Sequence, residues 1–271
     1  MSERRRRSVK AYRNPEFMSS RDARELRILS EYLEPKRRFE RHKVEDTIVF
    51  MGSARISSRE AAEAAVRAAE AGDGDLERAR VALEMSSYYE SARELAYRLT
   101  QWSKALDPGT RRFVVCTGGG PGIMEAANRG AAEARGINIG LNISLPHEQA
   151  DNSYITRELS IHFHYFFMRK FWFAYFAKAV IFFPGGFGTL DELFELLTLV
   201  QTRKMSKPMP IVVFGTDYWQ QVVNFDALVE RGMIDAGDLK LLYRTNSVDD
   251  AYHWIVQHLA EYALGQPGAM L

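Results

Sequence analysis

The sequence predicts an α/β protein, a doubly wound Rossmann-like parallel sheet with helices on both faces. Three observations carry this expectation. Short unbroken apolar runs recur along the chain, as strands buried on both faces require. Stretches of helical length and periodicity alternate with them, the order that builds a parallel sheet with right-handed crossovers. Three of the apolar runs end in small-residue loops, where open α/β sheets bind ligands.

The elements follow in order. Thr47-Ile-Val-Phe-Met-Gly52 is a strand that ends in Gly52-Ser53. Helices are expected around residues 58–72 and from Leu76 to Leu106. Phe113-Val-Val-Cys-Thr117 is a strand running straight into Gly118-Gly-Gly-Pro-Gly122, and Ile123 to Arg135 is helical. Ile137–Ile143 is a third strand and Glu158–His162 a fourth. A helix containing Arg169 and Lys170 precedes the strand Ala179–Phe183 and the loop Pro184-Gly-Gly-Phe-Gly188. A helix over Thr189–Arg203, a strand over Pro210–Phe214, a helix over Tyr218–Glu230, a strand at Leu241–Tyr243 and a helix over Ala251–Tyr262 complete the pattern.

Composition narrows the class. Of 271 residues, 46% are hydrophobic and 26% charged, which excludes a largely disordered, collagen-like or coiled-coil chain. The net charge of +1 argues against a strongly basic nucleic-acid binder. One cysteine, Cys116, excludes an intrachain disulfide and a Cys-rich metal site, and it fits a reducing compartment. Cys116 lies in an apolar strand and reads as a buried, inert thiol. The most apolar stretch, Tyr165 to Phe183, carries Arg169, Lys170 and Lys178, so it reads as a buried helix and strand rather than a membrane span. With no signal-peptide pattern at Met1–Arg7, a cytoplasmic protein is expected.

Charge is uneven. Residues 1–43 hold 14 Lys+Arg against 7 Asp+Glu, and the remainder is net acidic. We therefore divide the chain into a basic N-terminal arm with a short helix, residues 1–43, and a nucleotide-binding domain, residues 44–271. Ser20 is the expected cap of the arm helix, with Leu26, Leu29 and Leu33 on one face. The arm reads as packing on the body or on a partner subunit; a nucleic-acid or membrane arm is the rival.

Glycine lets backbone approach a ligand closely, and a helix opening directly after the loop offers free N–H groups to an anion. Two such loops in one sheet point to a phosphate-bearing ligand, although each alone also serves as a tight strand–helix turn. A dinucleotide dehydrogenase is the obvious rival, but Gly118–Gly122 lacks G-x-G-x-x-G and the next strand ends in Asn142-Ile-Ser144, with no acid for a ribose hydroxyl. No G-x-x-x-x-G-K-[ST] is present. His162 and His164 form an H-x-H without a third ligand in view, so no metal is expected.

Gly118-Gly-Gly-Pro-Gly-Ile-Met124, then Met168-Arg-Lys170, then Pro184-Gly-Gly-Phe-Gly-Thr-Leu-Asp-Glu192 resemble the motifs of the lonely guy family, whose proteins are often labelled lysine decarboxylase-like. The resemblance spans about Thr47 to Lys204 and includes Ile48–Ser53 and Leu145-Pro-His-Glu-Gln149. This chain departs from the shortest members in having only Pro121 between the glycine run and Gly122, Glu125 after the Met, a long helical insert and the basic arm. The resemblance implies a phosphoribohydrolase that cleaves the N-glycosidic bond of a purine nucleoside 5′-monophosphate, AMP or an N6-modified (cytokinin) form, giving free base and ribose 5-phosphate. It further implies a homo-oligomer, a dimer or larger, with no cofactor. The decarboxylase label would require pyridoxal phosphate on a lysine with an Asp or Arg partner for its ring. No lysine in the sequence sits in such a setting: Lys170 reads as a phosphate or ribose contact and Lys178 as part of a buried strand.

The resemblance makes Glu192 and Arg169 the catalytic candidates. Glu192 lies four residues after Gly188, at the start of the helix that opens at the phosphate loop, where a carboxylate can stabilise an oxocarbenium-like transition state and orient water. Its bland reading is a helix-start carboxylate satisfying the dipole. Arg169 offers a planar guanidinium to phosphate or ribose oxygens, with a structural ion pair as the bland reading. Gly185, Gly186, Gly188 and Thr189 are expected to cradle the 5′-phosphate, Gly118, Gly119, Gly120 and Ser53 to wall the other side, Lys170 to contact phosphate or ribose, and Glu148 to accept a hydrogen bond from base or ribose. Asp191 reads as solvated or capping. A non-catalytic nucleotide or cofactor carrier on the same fold is the alternative class.

Overall fold

The computed structural model describes residues 8–106, 111–144 and 152–268. Seven strands, β1 (Thr47–Met51), β2 (Val114–Thr117), β3 (Asn138–Ile143), β4 (Ser160–Phe163), β5 (Ala177–Phe182), β6 (Ile211–Phe214) and β7 (Leu242–Thr245), form one sheet in the order β4-β3-β2-β1-β5-β6-β7. Every pairing is parallel. The expected doubly wound sheet is therefore present. The chain winds outward from β1 to the β4 edge, then returns to the centre to lay β5 beside β1. That reversal is a topological switch point, and it leaves a crevice beyond the carboxyl ends of β1 and β5.

The pleat sorts side chains strictly. Val49 and Met51 of β1 join one core with the aromatics of helix α6 (Phe166–Phe176), α7 (Phe187–Gln201) and α8 (Thr216–Val222). Ile48 and Phe50 join the opposite core, made with α4 (Leu76–Lys104), α5 (Ile123–Glu133) and α10 (Val248–His258). Both faces of β1 are buried, which is why its sequence reads as a continuous apolar run rather than an alternation. α3 (Arg59–Glu70) starts at Ser58, whose hydroxyl accepts the Ala61 N–H.

The arm differs from the sequence expectation. After a short α1 (Pro15–Ser19), α2 runs over Arg24–Arg41, and Ser20 gives no side-chain cap; its hydroxyl instead donates to the Phe17 carbonyl. Leu26, Leu29 and Leu33 do share a face, but that face is about half exposed. The face turned to the body carries Ile28, Tyr32, Pro35 and Phe39; Tyr32 meets Trp172 of α6, and Phe39 meets both Trp172 and Phe176. The larger aromatic surface wins the burial. Pro35 within this helix has no N–H to give the Glu31 carbonyl four residues back. Trp172 Nε1 donates to that carbonyl at 2.8 Å, so the missing helical bond is replaced from α6.

Two other boundaries shift. The helix expected over Tyr218–Glu230 is two helices, α8 and α9 (Phe225–Glu230), because Asn224 turns the chain and its side chain caps the Ala227 N–H. α10 begins three residues before Ala251, where the Ser247 hydroxyl accepts the Asp250 N–H. Among the described residues no helix is long and apolar enough to cross a membrane.

Candidate active site

The three small-residue loops meet at the switch point. Ser53 N–H donates to the Pro184 carbonyl at 2.9 Å, and Ile123 N–H donates to the Ser53 carbonyl at 3.1 Å. These bonds tie the loop after β1 to both glycine loops. Gly122, at φ +73°, could not carry a side chain, because a Cβ would lie 2.3 Å from the Ser53 carbonyl oxygen. Gly118 faces α6, with the position of an added Cβ 3.7 Å from Arg169 Nη1. Gly120 lends its carbonyl to Asn152 Nδ2 at 3.5 Å.

The second loop opens α7. Gly186 is its N-cap and no side chain caps the first turn. Among the described residues, a Cβ on Gly186 or Gly188 would meet nothing within 4 Å, so nothing described closes off this end of the helix. Thr189 is buried and packs on Gly185, whose carbonyl accepts the Tyr218 hydroxyl at 2.8 Å. Free N–H groups, the positive end of the helix dipole and an adjacent hydroxyl together make an anion seat.

α6 and α7 converge beside these loops. Arg169 Nη2 lies 3.3 Å from Glu192 Oε1, with the two side chains only 11% and 14% exposed. Phe166 and Phe173 flank the guanidinium at 5.2 and 5.5 Å. Burial pushes the Glu192 carboxyl up to about 7, with Arg169 opposing the rise and Asp191 adding to it. Burial pulls Arg169 below its ordinary value against the pull of Glu192 and Asp191, and its Nε is buried with no partner among the described residues. A carboxyl poised near neutrality beside a buried cation is the kind of perturbed pair found in reactive sites.

Lys170 is held along α7 by two carboxylates. Its ammonium pairs with Glu195 at 2.8 Å and Asp191 at 3.1 Å along α7. Burial lowers its pKa, but the hydrogen bonds and charges of these two carboxylates outweigh that and hold it above the ordinary lysine value. Asp191, expected to be solvated or capping, is a largely exposed ion-pair partner and makes no cap. Glu148 lies outside the described residues.

The remaining sequence candidates take ordinary places. Cys116 is buried, and desolvation drives its thiol pKa up, against nucleophilic use. His162 and His164 are exposed, and His164 stacks edge-on against Tyr165. No group of three or more His, Cys, Asp or Glu suited to a metal occurs among the described residues. Trp172, Phe173 and Phe176 are core, whereas Phe166 and Phe167 are half exposed.

Three contributors escape the sequence reading. Asn142, at the end of β3, reaches Gly119; an added Cβ there would sit 2.0 Å from Asn142 Oδ1. Beneath the first glycine loop, Asn128 joins Thr117, Asn138 and Asn152, and Thr117 Oγ1 accepts the Gly119 N–H at 3.0 Å. Glu31 of the arm accepts the N–H groups of His164 and Tyr165 at 2.7 and 3.2 Å, at the start of α6. Asn128 had a signal, a polar residue amid the apolar positions of α5. Glu31 and Asn142 had none without the fold.

A parallel doubly wound sheet with an uncapped helix start and an acid–cation pair at its switch point defines an α/β protein whose fold fits a nucleotide-binding role. Residues 124–255 match the family model described as "Possible lysine decarboxylase", in agreement with the resemblance to the lonely guy proteins. Among solved structures it is similar to the molybdenum cofactor carrier protein of Chlamydomonas reinhardtii, at 19% identity over 80% of this chain and 99% of that chain, with a TM-score of 0.47. It is also similar to the molybdenum cofactor binding protein of Rippkaea orientalis, at 18% identity over 79% of this chain and 96% of that chain, with a TM-score of 0.43. No curated protein matches the sequence.

The family's label invites pyridoxal phosphate on a lysine, and the residues do not fit it. Burial lowers the pKa of Lys178 and takes that of Lys207 down to about 7. Both, however, lie near the amino ends of β5 and β6, across the sheet from the glycine loops. Lys178 Nζ is held by the Gln266 carbonyl, and Lys207 Nζ by the carbonyls of Ala174 and Tyr175.

Proposed function

We propose that this protein hydrolyses the N-glycosidic bond of a purine nucleoside 5′-monophosphate, AMP or an N6-modified form, to free base and ribose 5-phosphate. The observation that carries the reading is the 3.3 Å Arg169–Glu192 contact beside the uncapped start of α7. The amides of Gly186, Gly188 and Thr189 and the Thr189 hydroxyl hold the 5′-phosphate, with Gly185 letting Thr189 approach. Gly118, Gly119, Gly120 and Ser53 form the opposite wall. Glu148 and Lys170 complete the proposed set, Lys170 by holding α6 against α7 through Asp191 and Glu195.

In this reading Glu192 is ionised when the glycosidic bond breaks. Its carboxylate stabilises the positive charge developing at C1′ as the bonding pair leaves with the base, and takes a proton from the attacking water, while the departing base regains a proton from solvent. Arg169 keeps the carboxylate ionised enough to act and binds phosphate or ribose oxygens with its other nitrogens. The protein works as a homo-oligomer.

Incubation of the purified protein with AMP and N6-isopentenyl AMP, with and without chelator, tests this. Release of free base and ribose 5-phosphate, unaffected by chelator, is expected. Tight nucleotide binding without release would instead establish the carrier class.

A further inference from the structure

We propose that Asn142 is a substrate-binding residue that accepts a hydrogen bond from a ribose hydroxyl of the bound nucleotide; this rests on the nucleotide reading above. Its amide orientation is settled by its neighbours. Nδ2 faces the Ser160 hydroxyl at 3.0 Å and the carbonyls of Gly140 and Ile161 at 3.3 and 3.5 Å. Backbone carbonyls only accept, so the nitrogen must occupy that side and the oxygen must take the other.

Oδ1 therefore points at Gly119, close enough that a Cβ there would overlap it at 2.0 Å. Gly119 also holds φ +73°. No donor among the described residues reaches Oδ1, and the side chain is only partly buried, so a strong acceptor beside the glycine loop is accessible to a ligand's donor. The anchored Nδ2 removes the rotational freedom that such an acceptor would otherwise lose on binding.

The position in the sheet fixes what the acceptor meets. β3 is the neighbour of β2, which ends in the glycine run, and Asn142 stands at the carboxyl end of β3. In dinucleotide-binding sheets the strand beside the glycine-loop strand ends in the acid that accepts ribose hydroxyls. The carboxylate missing from this sequence is replaced in space by a neutral amide oxygen. A neutral acceptor serves beside a ligand that already carries a phosphate dianion, because it adds no repulsion.

Calorimetry with AMP, 2′-deoxy-AMP and 3′-deoxy-AMP tests the inference. The Glu192→Gln chain, in which turnover is suppressed, is compared with the same chain also carrying Asn142→Ala, after thermal melts establish that both fold. One deoxy analogue is expected to bind the parent on the order of tenfold more weakly than AMP, as the loss of a hydrogen bond and the stranding of its partner imply. Asn142→Ala is expected to bind AMP as weakly as the parent binds that analogue, with the discrimination gone. If Asn142→Ala unfolds, Asn142→Ser, which shortens the acceptor, takes its place and is expected to lose the same discrimination. Undiminished discrimination in the folded variant would overturn the assignment of Asn142 and leave the nucleotide reading standing. Failure of AMP to bind the parent and the unmutated chain would overturn both.

Discussion

Arg169 and Glu192 lie 23 residues apart in sequence on different helices, yet their side chains meet at 3.3 Å in a nearly buried contact. Burial costs both charges their hydration, and each offsets part of the other's loss. The carboxyl accordingly titrates near 7 rather than in the usual carboxylate range.

This has a direct kinetic consequence. If ionised Glu192 is the working form, kcat/KM for AMP should rise with pH through a limb near 7 and level off above it. Glu192→Gln should lower kcat by about 10²–10⁴-fold. Arg169→Lys keeps a cation but loses the planar fork, and kcat should fall even at saturating substrate. A change confined to KM in Arg169→Lys would restrict the residue to binding. A flat pH profile from about 5 to about 9 would remove Glu192 from the chemical step.

The glycine loop offers a contrast between neighbours. Gly186→Ala should leave the melting temperature near that of the parent, since its Cβ meets nothing within 4 Å, while raising KM for AMP by crowding the phosphate seat. Gly185→Ala should disturb the fold as well, because its Cβ would fall 2.1 Å from Thr189 Oγ1. Parallel melting curves and KM values for the two variants separate these effects.

The arm holds the helix that carries Arg169. Trp172→Phe keeps an aromatic ring but strands the Glu31 carbonyl that Pro35 already leaves without a helical donor. It should cost about 1–3 kcal/mol in urea unfolding. Glu31→Ala frees the amides at the start of α6, and its predicted signature is a lower kcat with little change in KM. Glu31→Gln, which still accepts hydrogen bonds, should restore much of the rate.

Asn128→Leu should destabilise the protein by about 2 kcal/mol or more, since it leaves Thr117, Asn138 and Asn152 without a buried partner they share. Disturbing the seat of Gly119 should also weaken AMP binding. Unchanged urea midpoint and AMP affinity would show the network to be dispensable.

Much of the fold was legible because strands buried on both faces must be continuously apolar, and β1 and β5 read that way directly. The glycine loops were legible for a similar reason: close backbone approach demands glycine in the sequence itself. In the arm, the stripe of Leu26, Leu29 and Leu33 was legible as one face of a helix, but which face is buried was not. Periodicity shows that a helix has such a face, but only the shape of α6 decides that Tyr32, Pro35 and Phe39 are the residues turned to the body. Helix α8 likewise ends where Asn224 caps the next helix, a local choice that the apolar pattern running across the break conceals.

The sequence by itself determined the parallel α/β architecture and the glycine loops, because each depends on local composition and spacing, whereas Arg169 and Glu192 were singled out by the resemblance of their motifs to the lonely guy family. Only the tertiary structure decided that α6 returns from the β4 edge to the centre of the sheet and sets Arg169 against Glu192. It alone turned Lys170 toward Asp191 and Glu195, and brought Asn142 to Gly119. These are contacts between distant segments, fixed by strand order and packing, and no local pattern in the chain encodes them.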